Sequence, residues 1–233
     1  MPTKEERQRP ERVKRRLRPS VKIVAIVLAA VLLVLVGVRL YTWLDQRGET
    51  RAIVLVNRWN DMDSSGFAPS LRTVEGVQVD HSCVKPLQQM LADCRAAGGE
   101  PVLSAGARTR DEQLKLFNNE VDRQVMAGRN ADQAYAIAEQ KVGAPGTSEH
   151  ELGLAVDIQG AGAQNWLKEN SWRYGFILRY PTGSESTTGR SADPAHFRYV
   201  GVAAAEQIYT LGITLEEYME LFFTQEAQIV FES

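Results

Sequence analysis

Apolar residues are distributed along this chain in two different ways. From Ile23 to Val38 no polar side chain interrupts the run, whereas beyond Asp45 apolar residues come in short groups at helix and strand spacings. As a helix the run spans about 24 Å at about 1.5 Å per residue. Leu40 to Leu44 extend it toward the roughly 30 Å of bilayer hydrocarbon. Tyr41 and Trp43 suit the interface, and Arg39 can snorkel. A helix apolar on every face is out of place in the core of so small a chain. A cleaved signal peptide has a similar plan, but the far end here, Arg39-Leu40-Tyr41-Thr42-Trp43, lacks a small-x-small cleavage site. The pattern therefore predicts a basic arm over 1–22, an uncleaved membrane anchor over 23–44, a polar linker over 45–51 and a folded domain over 52–233.

Within that domain the spacing predicts alternating short elements. Ala52 to Val56 read as a first strand and Asn57 to Pro69 as a long loop. Pro86, Leu87, Met90, Leu91 and Cys94 form one stripe of a helix that stops at Gly98-Gly99. Strands follow at Pro101–Ser104, Leu154–Gln159, Phe176–Arg179 and His196–Val200. Thr109-Arg110-Asp111-Glu112 is a capping box opening a helix through about Met126. Asn130–Val142 and Gln164–Tyr174 read as helices, Pro181–Asp193 as a loop, and Thr214-Leu215-Glu216-Glu217 caps a last helix. Helices and strands mixed without βαβ regularity predict an α+β domain.

Charge changes the picture at one end only. Nine basic and three acidic side chains between Met1 and Lys22 give the arm about +6, leaving about −8 for the remainder of a chain whose net charge is −2. The arm's place before the apolar run fits a cytoplasmic end held near anionic headgroups, with the lipid bilayer as partner of residues 23–44. The acidic remainder offers no broad basic surface, so no nucleic-acid partner is expected. Cys83 and Cys94 at the two ends of one helix would lie about 16 Å apart, beyond disulfide reach; Cys94 falls on the apolar stripe as a buried free thiol.

Candidate chemistry lies in two clusters, Ser148-Glu149-His150-Glu151-Leu152-Gly153-Leu154-Ala155-Val156-Asp157 and Asp193-Pro194-Ala195-His196-Phe197-Arg198-Tyr199. Two imidazoles and a carboxylate suit a zinc ion that keeps a position free for water. Taken alone the residues leave two readings, a metal site or separately hydrogen-bonded histidines. His81, beside Asp80 and Ser82, reads as surface or cap structure. Arg179 and Arg198 read as strand-face charge pairs, with bracing of the site as the alternative, and Thr187–Arg190 as either a lid or a turn.

The pattern Ser148-Glu149-His150-x-x-Gly153-x-Ala155-x-Asp157, followed by Pro194-x-His196-Phe197-Arg198-Tyr199-Val200-Gly201, resembles the VanY-type zinc D-alanyl-D-alanine carboxypeptidases. The resemblance extends to Ser104-Ala105-Gly106-Ala107-Arg108-Thr109 with Gln113 and to Gly175-Phe176-Ile177-Leu178-Arg179-Tyr180-Pro181, so it covers roughly residues 52–201. It implies a hedgehog/DD-peptidase-like fold with a small, mostly antiparallel sheet flanked by helices. It further implies zinc as cofactor with His150, Asp157 and His196 as ligands. Arg108 is expected to steady the substrate carboxylate or the oxyanion, and Ser148 and Gln113 to line the substrate site. The implied activity is removal of the terminal D-alanine from peptidoglycan stem peptides; joined to the anchor read from residues 23–44, it predicts a single-pass protein of a bacterial cell membrane with a cytoplasmic N-terminus and an extracytoplasmic domain.

Four positions depart from the family pattern, one of them Ser184, where a Pro-x-Gly-Lys-Glu sequence is usual. Asp193 stands where the family has its general-base glutamate, on a stem about 1.5 Å shorter; general-base geometry requires roughly 2.6–3.2 Å to the water. Ala195 replaces a tryptophan, and Ala107 a tyrosine. Two readings follow: an active carboxypeptidase with Asp193 as base in a widened pocket, or a zinc-bearing homologue that binds peptidoglycan or a protein partner without cleaving. Substrate linkage, D,D or L,D, and oligomeric state are left open by the sequence.

Overall fold

Strands run antiparallel in a four-stranded sheet that carries Asp157, Asp193 and His196. The computed structural model describes residues 51–221. In order across the sheet lie β3 (Val102–Ala105), β4 (Ala155–Gln159), β6 (Asp193–Tyr199) and β5 (Phe176–Tyr180). A separate hairpin, β1 (Leu71–Val74) and β2 (Val77–Asp80), precedes them. The α+β class and the antiparallel sheet predicted from sequence are what the structure has. The arm at 1–22, the anchor at 23–44 and nearly all of the linker at 45–51 lie outside the described residues. Among the described residues no helix is long and apolar enough to cross a membrane.

One side of the sheet is closed by α1 (Val84–Ala96) and α4 (Ala163–Asn170). Leu87, Met90, Leu91 and Cys94 of α1 are fully buried against Val156, Ile158, Phe197 and Leu167. That is the stripe the helical spacing predicts. A second cluster joins Ile177 and Val200 to Ala204, Ala205 and Ile208 of α5 (Val202–Leu211) and to Leu215. Capping boxes at Thr109 and Asn130 open α2 (Arg110–Met126) and α3 (Ala131–Lys141). Cys83 and Cys94 are both buried free thiols.

Five local expectations are corrected, two of them the loops at 57–69 and 181–193, which contain short helices at Met62–Ser65 and Glu185–Thr188. Residues 53–56 form no strand although Val56 is fully buried. Their neighbouring carbonyls are satisfied by a side chain instead, with Arg198 Nη2 donating to Ala52 O at 2.9 Å and Val54 O at 2.8 Å. The β1–β2 hairpin was not foreseen; its turn residues Glu75 and Gly76 both have positive φ, 48° and 82°, as a two-residue hairpin turn demands. The helix expected over 164–174 ends at Asn170 and tightens into a 3₁₀ turn, Ser171–Tyr174.

Candidate functional site

In the pairing of β4 with β6, Asp157 stands directly opposite His196. Residues paired across antiparallel strands point to the same face of the sheet, so register alone brings this carboxylate and imidazole together. His150 reaches them from the 3₁₀ turn Glu149–Leu152 that leads toward β4, ended by Gly153 at φ +69°. His196 Nδ1 is 3.0 Å from Asp157 Oδ1, and His150 Nε2 is 3.3 Å from the same oxygen. The imidazole rings meet edge to face with centroids 4.8 Å apart. All three ligand atoms lie within 4.8 Å of one another.

Hydrogen bonding fixes the tautomer of His150. Its Nδ1 lies 2.7 Å from Gly106 O, which can only accept, so the proton sits on Nδ1. Burial lowers the pKa of His150 and outweighs the raising effect of Asp157, favouring the neutral ring. A neutral imidazole with Nδ1–H turns the lone pair of Nε2 toward a carboxylate oxygen. Two electron-rich atoms at 3.3 Å call for a cation between them. Separations of 3.0–3.3 Å also match the edge of a tetrahedron with metal–ligand arms of about 2.0–2.1 Å, roughly 3.3 Å. The donor set of two imidazoles and one carboxylate therefore fits a divalent metal with a position left free.

Behind the metal-facing atoms lies a buried charge network. Glu149, 1% exposed, places Oε2 3.5 Å from His196 Nε2; beyond this contact both atoms are buried without a hydrogen bond. Its Oε1 accepts from Arg179 Nε at 2.8 Å and from Arg198 Nη1 at 2.9 Å. Arg179 continues to Glu216 in a two-bond fork at 2.8 and 2.6 Å. Burial alone would raise the pKa of Glu149, but Arg179 and Arg198 hold it well below the usual carboxylate range. Asp157 is likewise held low despite burial, by the two histidines. His196 moves the other way: burial lowers its pKa, and Asp157 and Glu149 more than reverse that. Arg179 and Arg198 are thus charge-paired, as read from sequence, but in the core: at 1% and 0% exposure they gather on one carboxylate.

Arg108 stands on the open side. Its Nη2 donates to Asp157 Oδ2 at 3.2 Å and its Nη1 to Gln113 Oε1 at 3.4 Å. Gln113 is fully buried, and its amide nitrogen donates to Val142 O and Gly143 O at 2.9 Å each. Its visible work is to hold Arg108. Gly106, whose carbonyl fixes His150, is backed against β2 so closely that a Cβ would collide with Gln78 O and Val77. Ser148 is buried directly ahead of the turn. Asp193, at the start of β6, is partly exposed; its Oδ1 accepts from Ala195 N at 2.9 Å, tying one oxygen to its own strand.

A cavity of about 400 Å³ opens beside Arg108, with Ala107, Gln78, Leu71, Met62 and Arg110 in its wall. A second, of about 470 Å³, lies between β5, residues 181–187 and α5, and none of the three metal-facing residues lines it. None of them lines the first cavity either; Arg108, which is paired with Asp157, is its link to them.

Residues 76–202 match the VanY family, described as D-alanyl-D-alanine carboxypeptidase. A D-alanyl-D-alanine carboxypeptidase of Enterococcus faecalis is 39% identical over 175 residues, covering 72% of this chain and 65% of that protein. The chain thus spans slightly under two thirds of this curated relative. Among solved structures, a vancomycin-resistance D,D-pentapeptidase VanY in complex with Zn(II) is 40% identical. The match covers 72% of this chain and 99% of that one, with a TM-score of 0.69. VanYB in complex with D-alanine-D-alanine is also 40% identical, covering 72% and 97%, with a TM-score of 0.70.

Proposed function

The chain belongs to the VanY D-alanyl-D-alanine carboxypeptidase family, and on that premise we propose that it is a zinc metallopeptidase removing the terminal D-alanine from peptidoglycan stem peptides. The observation that carries this reading is the meeting of His150 Nε2 and His196 Nδ1 at one oxygen of Asp157. Zinc, when bound by these three residues, supplies Lewis-acid polarisation of the scissile carbonyl and a water-derived nucleophile at neutral pH.

The chain's own residues divide the remaining work. Arg108, kept in place by Gln113 and Asp157, contributes positive charge where the carbonyl oxygen becomes an oxyanion. Asp193 accepts the proton of the attacking water and returns it to the departing amine as the peptide C–N bond breaks. The products are the shortened stem peptide and free D-alanine. Ala107 leaves the cavity beside Arg108 open to the stem peptide. Residues 23–44 tether the domain to the bacterial membrane with the basic arm in the cytoplasm, a reading supported by the apolar run and its charge asymmetry.

The test is mass spectrometry of pentapeptide muropeptides incubated with the zinc-loaded chain and with His150→Ala. Loss of one alanine with the first and not the second is the expected result. No loss from folded, zinc-bound protein would shift the assignment to a binding homologue.

A further inference from the structure

Of the guanidinium groups around the site, Arg190 is the one left without a carboxylate. Arg108 is paired with Asp157, Arg179 with Glu149 and Glu216, and Arg198 with Glu149. Among the described residues Arg190 has no ion-pair partner. Its Nη2 donates to Lys141 O at 3.2 Å, and its Nε is buried with no partner at all. A guanidinium carries five donors, so most of its capacity is unspent.

Its position is nonetheless fixed. The guanidinium lies over the ring of Tyr180, 5.2 Å from the centroid, and that ring packs 4.9 Å from the imidazole of His196. On its other flank is Gly143, at φ +81°, where a Cβ would collide with Arg190 Nη1. Gly143 O in turn accepts from Gln113, which holds Arg108. The segment bearing Arg190 is pinned as well: Thr188 is fully buried, Ser191 N donates to Gln140 O at 2.9 Å, and Gly189 backs onto Arg58 and Trp59. This stretch is packed against its neighbours on both flanks. Two cations, Arg108 and Arg190, therefore flank the metal-facing residues from two sides, close enough that the charge of Arg190 acts on Arg108.

We propose that Arg190 is the anchor for the free C-terminal carboxylate of the substrate, leaving Arg108 to the oxyanion. The proposal rests on the carboxypeptidase reading above and refines it. Arg108 is already paired with the Asp157 carboxylate and with Gln113, whereas Arg190, pre-positioned and engaged only through Nη2 with a carbonyl, has no carboxylate partner for the planar group that a carboxylate suits. Because its stacking on Tyr180 is already in place, little ordering remains to be done on binding.

The test is calorimetric binding of D-alanyl-D-alanine and of its C-terminal amide to the full zinc-loaded chain, its Arg190→Met and Arg190→Lys variants, and Arg108→Lys. Wild type is expected to bind the acid about 10–100-fold tighter than the amide, the range of a charge-assisted hydrogen bond. Arg190→Met should abolish that preference while leaving amide affinity unchanged, and Arg190→Lys should keep part of it. Unchanged amide affinity also shows that the variant is folded. A preference for the acid that survives in Arg190→Met, or vanishes in Arg108→Lys alone, overturns the proposal, as does wild type that binds both ligands equally or neither. Wild type that shows the Arg190-dependent preference yet releases no D-alanine from pentapeptide upholds the anchor and sinks the peptidase reading.

Discussion

Glu149 Oε2 sits 3.5 Å from His196 Nε2, on the side of the imidazole away from Asp157. With Nδ1 turned to the metal, Nε2 must carry the ring proton, and Glu149 is the group that can receive its hydrogen bond. A carboxylate behind a ligating histidine fixes the tautomer and raises the basicity of the ligand.

Glu149→Gln tests this brace. Loss of such a partner typically weakens metal affinity about 10–100-fold, measurable by competition with a chromogenic chelator. The same change strips Arg179 and Arg198 of a buried anion, so a loss of about 3–5 kcal/mol in denaturant unfolding should accompany it. Unaltered zinc affinity in a variant with that loss would make Glu149 a structural residue only.

In the proposed mechanism Asp193 is the general base. Asp193→Asn should lower kcat by about 10²–10⁴-fold, the contribution of a general base. Asp193→Glu extends the carboxylate and frees it from Ala195 N, and should raise kcat by about tenfold or more, since about 1 Å of placement can be worth ~10²-fold. Equal kcat for the wild type and the Asn variant would remove Asp193 from the mechanism.

Gly106→Ala should damage the metal site from behind. The added methyl has to displace Gln78 O or Val77, a cost of about 1–3 kcal/mol. The shift carries Gly106 O away from His150 Nδ1, so zinc affinity falls along with stability. A crystal structure of the variant with the 2.7 Å contact intact would contradict this.

Burial pushes the Cys83 thiol up to about 12, and burial also raises Cys94. In the unfolded chain a cysteine titrates near 8.5. Because the folded Cys83 keeps its proton and the unfolded one releases it, its contribution to stability is complete below about pH 8.5 and is lost as pH rises toward 12. At pH 8 a chromogenic disulfide should report no reactive thiol in the native chain and two in denaturant. Rapid native labelling would show that helix α1 opens.

The metal ligands were legible in the sequence because their chemistry restricts residue type, and their spacing survives as motif. The helix at Val84–Ala96 was legible because its buried stripe is periodic. Glu149 was not: between Ser148 and His150 it looks like any surface acid, and its burial depends on arginines 30 and 49 residues away. Arg179 gave a faint signal as the single charge in Phe176–Tyr180, and Arg198 a fainter one between Phe197 and Tyr199. Ala52–Val56 misled because its apolar pattern fits a strand, while its carbonyls are taken by Arg198. Val74-Glu75-Gly76-Val77 held a hairpin signal in its Gly, masked by a glutamate forced to positive φ.

The most direct measurement is D-alanine release from pentapeptide as zinc is titrated into metal-free full-length chain. The account predicts activity rising in proportion to zinc and levelling at one ion per chain, with His196→Ala silent throughout. Activity indifferent to zinc, or one zinc bound with no D-alanine released, would contradict it.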